Sequence, residues 1–143
     1  MLTIVIPGLP PIEASPNDRT PWYAKSPTLR EYKETVTMLG NLERNKAHWA
    51  APDKAKVHVV FVLQDYRRRD RDNLIARAKP LLDALGPFRE VWSRPDKHGA
   101  RHVVSAYGCD IIQDDDPKHA DITYDLTHEK GQSRTIVEII YDK

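Results

Sequence analysis

The chain has 143 residues, 40% of them hydrophobic, which is one domain's worth of sequence and enough for a single modest core. Its 22 basic and 21 acidic side chains nearly cancel to +1, which excludes a uniformly basic DNA-coating protein and an acidic disordered chain. No apolar run approaches the roughly 18–20 residues of a membrane span. The opening Met1-Leu2-Thr3-Ile4 lacks the basic stretch of a secretory signal, and the single Cys109 leaves no internal disulfide, so a cytoplasmic protein without a membrane partner is expected.

In chain order, Leu2 to Ile6 reads as a short strand closed by Pro7-Gly8. Residues 7–21 hold five of the eleven prolines and read as a loop. Ser26-Pro27 has the form of an N-cap followed by proline at the first helical position, with a helix from about Thr28 to Lys46 carrying Leu29, Tyr32, Val36, Leu39 and Leu42 at helical spacing. Gly40 weakens that helix locally. Trp22, Tyr23 and Trp49 are expected to pack it against a sheet. Val57 to Leu63 is β-branched and apolar, as in a strand buried on both faces.

A second helix is expected from about Asn73 to Leu85, capped by Asp72-Asn73 and kinked or broken at Pro80. Residues 86–109 carry little pattern beyond a short strand over His102 to Tyr107. Ala120 to Thr127 alternates, Thr135 to Tyr141 is a strong strand, and the turn Glu129-Lys130-Gly131-Gln132 between them predicts a terminal hairpin. The sum is an α+β fold: a single small domain, 1–143, with a mixed β-sheet and two main helices packed on it.

The near-neutral total hides two opposed blocks. Residues 64–101 hold ten basic and six acidic side chains, and residues 110–130 hold seven acids against Lys118 and Lys130. The densest segment is Arg67-Arg68-Arg69-Asp70-Arg71-Asp72-Asn73-Leu74, at the hand-over from strand to helix. In an extended chain Asp70 and Asp72 point to one face with Cα atoms about 6.5–7 Å apart. Two carboxylates so placed suit a divalent ion, Mg²⁺ first because it takes oxygen ligands and keeps waters. Flanking guanidinium groups suit phosphate. Arginine–aspartate pairing and a simple helix cap would account for the same residues without chemistry. The second acidic cluster, Asp114-Asp115-Asp116-Pro117, follows the apolar Ile111-Ile112, and three adjacent carboxylates call for a cation unless they form a solvated turn.

Three motifs in order resemble one family. Arg68-Arg69-Asp70-Arg71-Asp72-Asn73-Leu74 is followed by Lys79-Pro80-Leu81-Leu82-Asp83-Ala84-Leu85 and then by Ile111-Ile112-Gln113-Asp114-Asp115-Asp116. The set is similar to that of the RusA-like Holliday-junction resolvases, small homodimeric nucleases common in phages and prophages. The opening strand with Pro7-Gly8-Leu9-Pro10-Pro11 and the closing strands resemble the family's ends. The resemblance implies metal binding by Asp70, Asp72 and Asp115, with Asp114 or Asp116 as alternatives to Asp115. It implies a catalytic role for Lys79, an orienting one for Asp83, and phosphate contacts from Arg67, Arg68, Arg69 and Arg71. Two features depart from the family pattern. Gly86 to Gln113 spans 28 residues where about ten are usual, so a segment of about 87–109 is inserted, carrying Arg89, Trp92, Arg94, Lys97 and Arg101. Lys79 also follows Asp72 by seven residues, where about four are expected.

The implied chemistry is hydrolysis of phosphodiesters in branched DNA, four-way junctions above all, with Mg²⁺ (or Mn²⁺) and no nucleotide cofactor. It leaves a 5′-phosphate, and Lys79 offsets charge on the scissile phosphate. No Ser–His or Cys–His pattern suggests a covalent nucleophile. Paired symmetric nicks imply a homodimer. The competing readings are a nuclease for forks, flaps or RNA, a non-catalytic junction-binding protein, and a zinc site from His98, His102, Cys109 and His119.

Overall fold

The computed structural model describes residues 1–16, 18–64 and 71–141. A six-residue strand β1 (Leu2–Pro7) is followed by a short 3-10 turn at Ile12–Ala14 and a long helix α1 (Trp22–Ala47). Strand β2 (Ala55–Leu63) precedes two short helices, α2 (Arg71–Ala76) and α3 (Lys79–Leu85). Then come β3 (Arg89–Trp92), β4 (Val103–Tyr107), β5 (Ala120–His128) and β6 (Arg134–Ile140). The expected α+β class, single domain and mixed sheet are all present. Among the described residues no helix is long and apolar enough to cross a membrane.

The main sheet has the order β1-β6-β2-β5. β6 runs antiparallel to both β1 and β2, whereas β5 runs parallel to β2. One face is buried: Leu2, Ile4 and Ile6 from β1, Val57, Val59, Phe61 and Leu63 from β2, and Val137 and Ile139 from β6 pack against Val36 of α1 and Leu81 and Leu85 of α3. The opposite face carries Thr3, Lys56, His58 and Glu138 and is partly solvated, as two-period strands allow. β2 is therefore buried on alternate residues over most of its length, and continuously only at Phe61, Val62 and Leu63, which corrects the expectation of two buried faces.

The terminal hairpin does not form. The strands flanking 129–133 both exist, but β2 lies between them. The chain leaves β5, Glu129 N donates to Leu63 O at 3.0 Å across the end of β2, and β6 then returns along the other edge of β2. This arrangement gives the most apolar strand a hydrogen-bonded neighbour on each side. Pairing β5 with β6 would leave an edge of β2 open.

α1 begins six residues earlier than its proline suggested. Pro21 stands at the N-cap and Pro27 lies inside the helix. The N–H missing at Pro27 would have bonded the carbonyl of Tyr23, and that first turn is open to water, with Trp22 and Tyr23 72% and 81% exposed. Those two aromatics do not pack on the sheet. Trp49 does lie against the core, its Nε1 donating to Ile111 O at 2.9 Å and its ring edge-on to Tyr141 at 5.4 Å. A Trp49→Phe variant is expected to lose about 1–2 kcal/mol in urea unfolding, because the buried Ile111 carbonyl loses its donor.

The second helix is broken, but at Arg77-Ala78 and not at Pro80. Pro80 is the second residue of α3, where its missing N–H has no helical partner to lose. The proline-rich loop is tied onto this break. Arg77 Nε donates to Pro10 O at 3.0 Å, its Nη2 reaches the same oxygen, and Ser15 Oγ donates to Asn73 Oδ1 at 2.7 Å.

Candidate active site

α3 organises the site from both of its ends. Its last carbonyls have no partner within the helix. The returning chain supplies the donors: Cys109 N to Ala84 O at 2.9 Å, Asp110 N to Gly86 O at 2.9 Å, and Ile111 N and Ile112 N to Leu85 O at 3.0 and 3.1 Å. Ile111 and Ile112 are then fully buried, which fixes where the acidic turn emerges. Asp115 meets Lys79 at the other end of α3, with Nζ donating to Oδ2 at 2.6 Å. Two motif segments 36 residues apart in sequence are thereby joined.

Lys79 also lies 3.2 Å from Asp83, one helical turn on, and Asp83 is 3.8 Å from Lys33 of α1. The Asp115 hydrogen bond, opposed by partial burial and reinforced by Asp83, holds the Lys79 ammonium above the usual lysine range. Lys79 therefore carries a full positive charge at neutral pH and is suited to stabilising an anion, not to accepting a proton.

The three consecutive acids do different things. Asp114 Oδ1 accepts the Asp115 amide at 2.8 Å and closes the turn. Asp116 Oδ1 accepts the amides of Lys118 and His119 at 2.9 and 3.0 Å and faces the His119 ring nitrogen at 2.9 Å. Desolvation is the largest single influence on the Asp116 carboxyl and raises it, but the His119 contacts and the Lys118 amide together outweigh it and leave the group below its ordinary value. Of the three, Asp115 alone is in hydrogen-bonding contact with Lys79.

Asp72 stands in the first turn of α2 and is exposed. Its neighbour Arg71 donates from Nη2 to the carbonyl of Tyr124 at 2.9 Å. The Tyr124 ring lies nearly parallel to Phe61, with centroids 6.1 Å apart. Burial and then the negative charge of Asp115 push the Tyr124 hydroxyl up. Tyr124 therefore takes Arg71 on its carbonyl, while its hydroxyl feels the charge of Asp115. The sequence reading missed it; the alternation of β5, which puts Tyr124 on the core side with Ile122 and Leu126, was the only signal. Asp70, Arg67, Arg68 and Arg69 lie outside the described residues.

Asp72 and Asp115 offer hard carboxylate oxygens, the donor class that Mg²⁺ and Mn²⁺ take. Lys79 engages Oδ2 of Asp115, and no described donor engages Oδ1. Among the described residues no three His, Cys, Asp or Glu groups converge closely enough to hold an ion, and the expected third ligand, Asp70, is outside that set. The donor chemistry fits a hard divalent cation.

The zinc alternative loses its thiol. Cys109 is fully buried, its Sγ 3.1 Å from Ala84 O, and burial pushes the thiol up to about 12. The cause is close helix packing: a Cβ on Gly40 would stand 2.5 Å from the sulfur, so the glycine that weakens α1 is what lets it approach. Native protein at pH 8 is expected not to react with Ellman's reagent, and to yield one thiol per chain once unfolded in guanidinium. The thiol's folded-state value lies above its unfolded one. Its contribution to stability is therefore complete below about pH 8.5 and is lost as the pH climbs toward 12.

The chain matches no family model, and no curated protein matches it.

Proposed function

We propose that this chain is a divalent-metal-dependent endodeoxyribonuclease of the RusA kind that nicks branched DNA, four-way junctions first among its substrates. The observation that carries the reading is the Lys79–Asp115 contact at 2.6 Å. Lysine and aspartate from two separately matched motifs lie in one cluster, with Asp83 of the middle motif as the lysine's second partner. Simple charge pairing on a solvated surface would not require the match between motif order and spatial grouping.

Asp72 and Asp115, with Asp70, would hold Mg²⁺, which when bound supplies an activated water and offsets charge at the scissile phosphate. Lys79 would place its ammonium against the phosphate oxygens, where charge grows as water adds to phosphorus. The P–O3′ bond breaks, leaving a 3′-hydroxyl and a 5′-phosphate. Asp83 and Asp115 hold Lys79 from two sides and limit its rotamers. Arg67, Arg68, Arg69 and Arg71 would grip flanking phosphates without reading sequence. A twofold homodimer would bring two such sites to opposite strands of a junction.

The test is cleavage of an end-labelled synthetic four-way junction with Mg²⁺ or with EDTA, beside linear duplex, fork and flap and beside an Asp72→Asn variant. Paired symmetric nicks on the junction that require both metal and Asp72 are expected. Junction binding without nicks in any divalent metal would leave a non-catalytic binding protein. Equal cutting of all substrates would remove the junction preference.

A further inference from the structure

The inserted segment leaves the site's scaffold and returns to the same point. Gly86 O accepts the Asp110 amide, and between those residues β3 and β4 form a two-stranded antiparallel ribbon separate from the main sheet. Its base is fixed to α1: Gly108 N donates to Thr37 Oγ1 at 2.9 Å, and Lys33 stands over the Tyr107 ring at 4.4 Å. Its tip is ordered as well. Asp96 Oδ1 accepts the amides of His98 and Ala100 at 2.8 and 2.9 Å, and Ser93 N donates to His102 O at 2.8 Å.

That turn has an electrostatic consequence. Asp96 is directed onto the tip's own amides, whereas Arg89, Arg94, Lys97 and Arg101 have no carboxylate partner among the described residues. Arg101 Nε donates only to the Ser93 carbonyl. Glu90 is the one other acid between Arg89 and Arg101. Trp92 on the ribbon is 49% exposed, and Trp22 and Tyr23 at the start of α1 are more so.

Between the ribbon and α1 lies a cleft of about 180 Å³ with Trp22, Arg30, Val91 and Tyr107 in its walls. A second cleft of about 300 Å³ adjoins it, walled by Lys25, Lys79 and Asp83. Leu29 and Lys33 belong to both. The two clefts share the wall of Leu29 and Lys33 and form a groove along α1 from Lys79 past Lys33 and Arg30 to the base of the ribbon; Arg94, Lys97 and Arg101 stand outside its walls, toward the ribbon's tip.

We propose that this groove seats the sugar–phosphate backbone of a duplex DNA arm flanking the cut, with Arg30 and Lys33 along its wall and Arg94, Lys97 and Arg101 on the phosphates that continue past it toward the ribbon's tip. The inference rests on the nuclease reading above. Two observations favour DNA as the occupant: the unpaired cations, and the continuity of the groove with Lys79, where a phosphate would react. The exposed Trp92 and Trp22 offer apolar faces to sugars or to an unstacked base at the branch.

The experiment measures anisotropy of a labelled four-way junction with the full-length protein in Ca²⁺, from 50 to 250 mM KCl. Wild type is compared with the triple variant Arg94→Glu, Lys97→Glu, Arg101→Glu. Loss of three phosphate contacts from each protomer is expected to weaken binding on the order of 10²-fold per engaged protomer at 0.15 M salt and to flatten the log–log salt dependence by about 2.7 for each. A triple variant that keeps the wild-type slope and affinity overturns the groove and leaves the nuclease reading standing. Wild type that binds no junction even at 50 mM overturns both. Sedimentation equilibrium is run on the same samples; a variant that becomes monomeric with an unchanged slope assigns the ribbon to contact between copies and overturns the DNA assignment. Should the glutamates unfold the tip, as circular dichroism would show, the corresponding glutamine triple is read by the same slope.

Discussion

A Lys79→Met variant is expected to cut a four-way junction two to three orders of magnitude more slowly than wild type, with junction affinity in Ca²⁺ within about threefold. Removing one preorganised donor to a developing oxyanion costs a factor of about 10²–10³ in the systems where it has been isolated. Lys79 has the attributes of such a donor. It is held on two sides, by Asp115 at 2.6 Å and Asp83 at 3.2 Å, and its side chain is 62% exposed, so it is open to a substrate. Its removal should change stability by no more than about 1 kcal/mol, since exposed ion pairs contribute little. Lys79→Arg should recover part of the rate, because it restores the charge with a different reach. Asp115→Asn should lose the rate too, since it weakens the lysine's anchor and removes the carboxylate proposed to hold the metal. Wild-type cleavage by Lys79→Met, at saturating DNA, would take Lys79 out of the reaction.

The parts of this site that were legible in the sequence are those in which local chemistry or an ordered motif decides. Asp72 could be named from its spacing to Asp70 at a strand-to-helix junction, whereas Lys79, Asp83 and Asp115 were named through the resemblance of three ordered motifs to a known family. Ile111 and Ile112 anchor the acidic turn because they are buried. The choice among Asp114, Asp115 and Asp116 was not legible. It depends on which carboxylate the turn turns inward, and the turn is set by backbone amides: Asp114 closes on the Asp115 amide, Asp116 takes those of Lys118 and His119, and Asp115 is left facing Lys79. Tyr124 was missed because its place against Phe61 and Arg71 follows from the parallel pairing of β5 with β2, a contact far apart in sequence.

The same division explains the fold. Strand positions followed from apolar alternation, and the two-helix segment broke within a few residues of its proline. The order of strands did not follow. A turn sequence between two strands predicts that they pair, yet here the turn carries the chain across the end of β2, because the edge of that apolar strand is the better partner. The inserted segment was opaque for a related reason. Only β4 was expected there, over His102 to Tyr107; β3 is four residues long and exposed throughout, so it carries no two-period hydrophobic signal, and the ribbon is defined by the turn that Asp96 organises. An excursion of this length leaves the cluster around Lys79 intact because its two ends meet at Gly86 and Asp110.

That closure makes Gly108 the position where a single added methyl should cost most. Gly108 has φ +108°, and a Cβ there would stand 2.1 Å from the Pro87 carbonyl oxygen, 2.6 Å from its carbon and 2.7 Å from the Phe88 Cα. All three are backbone atoms, so no side-chain rotation relieves the overlap; the two strands at the ribbon's neck must separate. Separation would break the Gly108–Thr37 bond and the Phe88 amide's bond to Asp110 Oδ1 at 3.2 Å, and would strain the Cys109 and Asp110 amides on the end of α3. Gly108→Ala is expected to cost about 4 kcal/mol, at the high end for one substitution, and to lower Tm by about 10–15 °C. Gly99 supplies the control. It too has positive φ, +80°, but nothing lies within 4 Å of a Cβ placed there. Gly99→Ala should therefore show only the left-handed backbone penalty, about 1–2 kcal/mol, on the exposed tip. The difference between the two variants in thermal unfolding isolates the steric closure of the neck. Since that neck sets the course of the chain into Asp115, Gly108→Ala should also lose cleavage at temperatures where it remains folded, while Gly99→Ala keeps it. Equal melting temperatures for the two variants would mean that Pro87 and Gly108 are not in contact.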